Sequence, residues 1–175
     1  MKKLGIAFLF APIACIVSCT VMVYDTSRLL NDFQTEGFLD RDHFQVTVKG
    51  SPDMKTRGLV EKRDSALNDA EAKIEETVLK KLADYYFLYA MKKYHIKSQK
   101  EILNFDDAQI ELQNKLRAFL PYTHRAFEYF NEDYSAVIVL RIYKKNLLEN
   151  LESINIKIVR IEDIISEETK KQSRK

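Results

Sequence analysis

Between Tyr134 and Tyr143 the chain reads YSAVIVLRIY, and this run constrains the fold more than any other. Ala136, Ile138, Leu140 and Ile142 alternate with Val137, Val139 and Arg141, the period of two that a strand requires. Hydrophobes on both sides mark it as a central strand, with a neighbour at each edge. Thr123 to Phe130 reads as one further strand, joined to it across Asn131, Glu132 and Asp133. His43 to Lys49 reads as another, with Phe44, Val46 and Val48 on one face and Gln45, Thr47 and Lys49 on the other. A turn follows at Gly50, Ser51, Pro52 and Asp53.

The rest of the chain supplies helices. From about Arg57 to Tyr94, Leu67, Ala70, Ile74, Val78, Leu82, Tyr85 and Tyr89 recur at steps of three and four. Asp69 with Lys73, and Glu76 with Lys80, form acid-before-base pairs on its outer side. Ala66 and Ala70 place small side chains one turn apart, which lets the helix lie close to a sheet or another helix. Ser98–Glu101 and Asp106–Gln109 have the spacing of capping boxes. The second opens a helix with Ala108, Leu112, Leu116 and Phe119 inward, and Pro121 stops it. A short helix is predicted from Lys145 to Ser153 and a further strand from Ile154 to Arg160. The expected fold is α+β: a small antiparallel sheet of three to four strands, with a long helix and shorter helices packed on one face.

The segment Leu82–Met91, LADYYFLYAM, is apolar nearly all round and needs cover on more than one side. Two readings stand. Its aromatics fill the core, or Tyr86, Phe87 and Tyr89 present an exposed patch to a partner, as interfaces are enriched in such residues.

The N-terminus reads as an address. Lys2 and Lys3 precede an uncharged apolar run, Leu4 to Val17, shorter than the ~20 residues of a membrane span. Ile16-Val17-Ser18-Cys19 then resembles the bacterial lipobox. The Cys19 thiol is the nucleophile that a diacylglycerol donor would alkylate, and a small Ser18 leaves room for the peptidase. Cys15 fits less well, because Pro12 stands at the aliphatic position. An uncleaved signal anchor over Leu4–Val23 and ordinary secretion are the competing readings. A diacylglyceride and an N-acyl chain on Cys19 would suffice for stable anchoring, since one chain binds only marginally.

The expected organisation is therefore a lipoprotein signal peptide over 1–18, a lipidated N-terminus and tether over 19–42, one α+β domain over 43–165 and a charged, disordered tail over 166–175. The tether carries Phe33, Phe38 and Leu39, which suggest that part of it packs on the domain. No cysteine then remains for disulfides or thiolate metal sites. Loss of Lys2 and Lys3 lowers the 28 basic residues to the number of acidic ones, 26. That balance argues against nucleic-acid binding, which needs a basic surface.

Catalytic chemistry is hard to place. His43, His95 and His124 show no ligand spacing, and there is no phosphate-cradling glycine loop, G-x-S-x-G or H-E-x-x-H. Asp106-Asp107 sits at a helix start and Glu167-Glu168 in the tail, where acids serve helix dipoles and solvation. The expectation is a protein that is not an enzyme and holds no metal.

A strand ending VTVKGSP, a helix with alanine steps (RDSALNDAEAKI), and a hairpin leading into YKKNLLENL are similar to a set of small bacterial outer-membrane lipoproteins. These share the N-terminal domain type of the flagellar T-ring protein FlgT. The resemblance covers about Phe44 to Leu151 and rests on element order and the junction at Gly50. It implies an envelope protein that binds other proteins, with no catalytic residues to carry over. The expected function is a membrane-anchored envelope lipoprotein docking onto another envelope protein, with the outer membrane favoured because Thr20 is not the inner-membrane retention aspartate. The alternative is a surface-exposed binder of host or extracellular ligands.

Overall fold

A computed structural model describes residues 35–163. The signal peptide, Cys19, most of the tether, and the tail with Glu167-Glu168 lie outside the described residues. The elements run β1 (Gly37–Phe38), β2 (His43–Gly50), α1 (Leu59–Ala72), α2 (Ile74–Lys93), a 3-10 turn (Gln99–Glu101), α3 (Phe105–Leu116), a second 3-10 segment (Arg117–Tyr122), β3 (Thr123–Phe130), β4 (Ala136–Tyr143) and α4 (Leu147–Glu152). The four strands form one antiparallel sheet in the order β1-β2-β4-β3. The strand with apolar residues on both sides, β4, is central as its pattern requires.

β2 and β4 pair along their whole lengths, from His43 opposite Tyr143 to Gly50 opposite Ala136. Phe44, Val46 and Val48 thus stand beside Ile142, Leu140 and Ile138 on one face, and all six are buried. The helices cover this face. Ala66 and Ala70 of α1, Val78, Leu82, Tyr86 and Phe87 of α2, Leu112 and Leu116 of α3, and Leu147 and Leu151 of α4 join the same core cluster.

The closest approach in that core is where β2 ends. A Cβ added to Gly50 would lie 2.0 Å from the Ala66 carbonyl oxygen and 2.4 Å from the Ala70 backbone nitrogen. Both distances are far inside van der Waals contact, so only glycine lets the strand meet the helix backbone here. Ala66 and Ala70 are fully buried, and their small side chains are what permit this spacing.

Four local features differ from the sequence-based expectation. The predicted helix over 57–94 is two helices, interrupted at Lys73, whose φ of −96° and ψ of −4° depart from regular helix. The interruption lets α1 lie against β2 and β4 while α2 reaches β2 and α3. Next, α3 begins at Phe105, one residue before the expected box, and Asn104 at its cap position makes no side-chain cap bond. Third, the strand predicted over 154–160 is an extended strap with a single bridge, Ile102 to Arg160, instead of a sheet member.

The fourth concerns the start of the domain, which lies before residue 43. Phe38 of β1 packs edge-on against Phe44 and Tyr85, with ring centroids 4.9 and 4.7 Å apart. The turn after it clasps the segment that follows β4. Lys144 N–H donates to the Asp42 carbonyl, Asn146 N–H to Asp42 Oδ1 at 2.7 Å, and Leu148 N–H to the Arg41 carbonyl. Arg41 also pairs with Glu149.

Candidate interaction surface

The aromatic run of α2 is mostly core. Tyr86 and Phe87 are 5% and 3% exposed, so the exposed-patch reading fails for both; Tyr89 is half-buried. The physical reason is the strap together with α3: the Phe105 ring packs at a tilt 4.8 Å from that of Phe87, and the Tyr86 hydroxyl donates to the Ile154 carbonyl at 2.7 Å. Burial pushes the Tyr86 hydroxyl up to about 12, so it stays a donor throughout the ordinary pH range.

The strap packs Ile154, Ile156 and Ile158 against the core, and individual hydrogen bonds set its course. Asn104 Nδ2 donates to the Lys157 carbonyl at 2.8 Å, and its Oδ1 accepts from Val159 N–H at 2.9 Å. Leu103 N–H donates to the Val159 carbonyl at 2.8 Å. Asn104 thus completes, with a side-chain amide, a short piece of ladder that no second strand supplies.

Each histidine has a structural setting. His95 adopts φ 55° at the end of α2, where Ile96 N–H reaches the Met91 carbonyl and His95 N–H the Lys92 carbonyl, the two bonds of a Schellman cap. His43 stacks on Tyr143 at 4.7 Å, and its Nδ1 lies 2.8 Å from Asp40 Oδ2. Asp40 also accepts from the backbone N–H groups of Asp42 and His43, and the Asp42 bond is the chief cause of its lowered pKa. His124 is exposed on β3. Among the described residues, no three His, Cys, Asp or Glu side chains gather as a metal site, and no helix is long and apolar enough to cross a membrane. Asp106 and Asp107 lie in the first turn of α3, the position expected for acids that favour the helix dipole.

The surface best suited to a macromolecular partner is β3. It is the edge strand at one side of the sheet, eight residues long and paired with β4 alone among the named strands. The opposite edge is more fully guarded: β1 covers Phe44 and Gln45, and beyond it the Glu36 carboxylate accepts from Thr47 N–H at 3.2 Å while pairing with Lys81 at 2.6 Å. A register shift between Arg125 and Phe127 bends β3, a device that makes an edge selective about what pairs with it. Arg125 bridges Glu71 at 2.6 Å and Glu128 at 2.5 Å on the helix side, and the Glu71 hydrogen bond is the first cause of its raised pKa. Beside the start of β3 is a cleft of about 390 Å³ lined by Ile74, Leu120, Thr123, His124 and Arg125. Sequence reasoning read Thr123–Phe130 as a strand and weighed His124 only as a histidine, without placing the strand at an edge, because edge position is a property of topology.

In comparisons with known proteins, no family, no curated protein and no solved structure matches the chain.

Proposed function

We propose that the chain is a bacterial envelope lipoprotein, anchored by acyl chains on Cys19, whose α+β domain is a non-catalytic module that docks onto another envelope protein. The observation that carries the reading is the order Lys2-Lys3, apolar run, Ile16-Val17-Ser18-Cys19. Each part has a physical purpose: membrane targeting, insertion, and a thiol placed for alkylation after a small residue. The domain's chemistry is consistent with a binding role, since His43, His95 and most of its shifted carboxylates serve caps, turns and ion pairs. The outer side of β3, the last strand in the order β1-β2-β4-β3 among the described residues, offers docking by strand addition, where backbone hydrogen bonds give affinity and alternate side chains give selectivity. The likeness to flagellar T-ring N-terminal domains favours a place in envelope or flagellar assembly.

The decisive experiment is the intact mass of membrane-extracted protein, wild type beside Cys19→Ser. The expected result is a chain beginning at residue 19 with lipid attached, absent from the variant. An unlipidated chain that still begins at Met1 would replace the lipoprotein reading with a signal anchor.

A further inference from the structure

Apolar side chains collect at one end of the domain without joining its core. Met54, in the loop after β2, and Leu59 and Val60, in the first turn of α1, are 88%, 49% and 64% exposed. No large apolar side chain among the described residues is more exposed than Met54, and none of the three belongs to the core cluster. Their outward position is built. Thr56 N–H donates to the Asp53 carbonyl at 3.1 Å, closing a turn with Met54 at its corner. Asp53 N–H donates to Ser65 Oγ at 2.9 Å and Ser51 N–H to Asp69 Oδ2 at 2.8 Å, which ties the loop to α1.

Behind this apolar tip stand two aromatic–cation pairs. Lys62 Nζ lies 5.4 Å from the centre of the Tyr134 ring, and the Arg63 guanidinium 5.3 Å from that of Phe130. Aliphatic groups in front, with aromatic rings and long-stemmed cations behind, is the order that a lipid surface favours. The former enter the acyl boundary, and the latter stay at headgroup level. Lys55 and Arg57 add two exposed cations, but Asp53, Glu61 and Asp64 offset most of the charge, so apolar insertion supplies the affinity.

The direction of the chain indicates which surface lies near this end. Gly37 pairs with Gln45 and Phe38 with Phe44, so β1, read backwards, heads for the Gly50 end of the sheet. That end carries both the loop over 51–58 and the turn with Tyr134. Thr35 follows Cys19 by sixteen positions, a span of at most about 55 Å.

We infer that Met54, Leu59 and Val60 insert into the bilayer that holds the acyl chains of Cys19, so that the domain stands on this end. The inference rests on the lipoprotein reading and gives it an orientation. With the end of the sheet on the membrane, the outer side of β3 faces along the surface, toward a neighbouring protein instead of lipid.

The chain contains no tryptophan, so Met54→Trp and, just past the opposite end of β4, the exposed Lys145→Trp each install a single reporter. Each protein is extracted from membranes, its intact mass is recorded, and it is reconstituted in phosphatidylcholine vesicles with or without lipid brominated near the headgroup end of the acyl chain. In brominated vesicles the emission of Met54→Trp is expected to fall about threefold while that of Lys145→Trp holds, and adding Leu59→Ser and Val60→Ser to Met54→Trp restores it without changing the melting curve. Emission indifferent to bromine overturns the inference; a blue shift without quenching does so too, by giving the patch to protein contact. Equal quenching at both ends, or quenching indifferent to the two serines, overturns it as well. The mass keeps the two readings apart: an unlipidated chain beginning at Met1 ends the lipoprotein reading, while the quenching pattern decides insertion in either case.

Discussion

The junction at Gly50 and the strap over 154–160 are positioned in different ways. At Gly50, strand and helix backbones meet with nothing between them but small residues, Ala66 and Ala70, and the contact is secured by shape. The strap lies over α2 and α3 with Ile156 in the core, and its course there is set by a few directed bonds from Tyr86, Leu103 and Asn104. A shape-held contact fails when anything is added. A bond-held contact fails when a single acceptor or donor is removed, and fails locally.

The sharpest way to break the first is Gly50→Ala. The new methyl meets backbone atoms that cannot rotate away, so a loss of about 3 kcal/mol is expected, read as a lower midpoint in chemical denaturation. Unchanged stability would mean that the junction opens freely. Asn104→Ala comes next. It removes two hydrogen bonds to the strap, a cost of about 2 kcal/mol, with faster hydrogen exchange confined to 154–160. Exchange that rises across the sheet as well would show that the strap and core unfold together.

Tyr86→Phe deletes one bond and leaves the ring, for about 1 kcal/mol. It carries a pH signature. The folded protein keeps the hydroxyl proton up to about 12 while the unfolded chain releases it near the ordinary value of 10, so this group's stability contribution falls as pH rises through that window. Alkaline melting curves should show the decline in wild type and less of it in Tyr86→Phe. His95→Gly should instead stabilise, by about 1 kcal/mol, because the position has φ 55° and glycine adopts it without strain. A lower Tm would show that the imidazole contributes more than its backbone costs.

The smallest expected effect concerns Asp40. Its folded pKa is lowered, so its contribution is present above the ordinary value of 3.8 and lost as pH falls through the folded one. Asp40→Asn should flatten the acid side of a pH–Tm profile slightly, and an identical profile would remove the turn from the acid response.

The same contrast explains what could be read in the residues alone. β2, β3, β4 and the Ala66–Ala70 step were legible because period two, period 3.6 and small-residue spacing are statements about faces, and faces decide burial. The break at Lys73 was not legible. The apolar recurrence runs unbroken from Leu67 to Tyr89, with no glycine or proline at the joint, and the two helices separate because they have different neighbours. β1 is too short to show a period. Asn104 carried no local signal, for its amide serves a segment more than fifty positions away. Of the aromatic run, period placed Tyr85 and Tyr89 on the inward stripe, but only the tertiary course of α3 and the strap shows that Tyr86 and Phe87 are enclosed as well. An edge strand such as β3 is fixed by strand order, which no local pattern encodes.

The pairing of β2 with β4 has a consequence in time. His43 meets Tyr143 and Gly50 meets Ala136, so the central seam joins residues about a hundred positions apart. Such distant pairings form slowly compared with local helices. A nascent chain holding β1 and β2 lacks the central strand β4 until residues 136–143 have emerged, and the clasp between Asp42 and Asn146 closes later still. For the exported precursor proposed here, that delay is useful: the chain remains an open thread while it is still being made, the form in which it can be passed through a membrane before it folds.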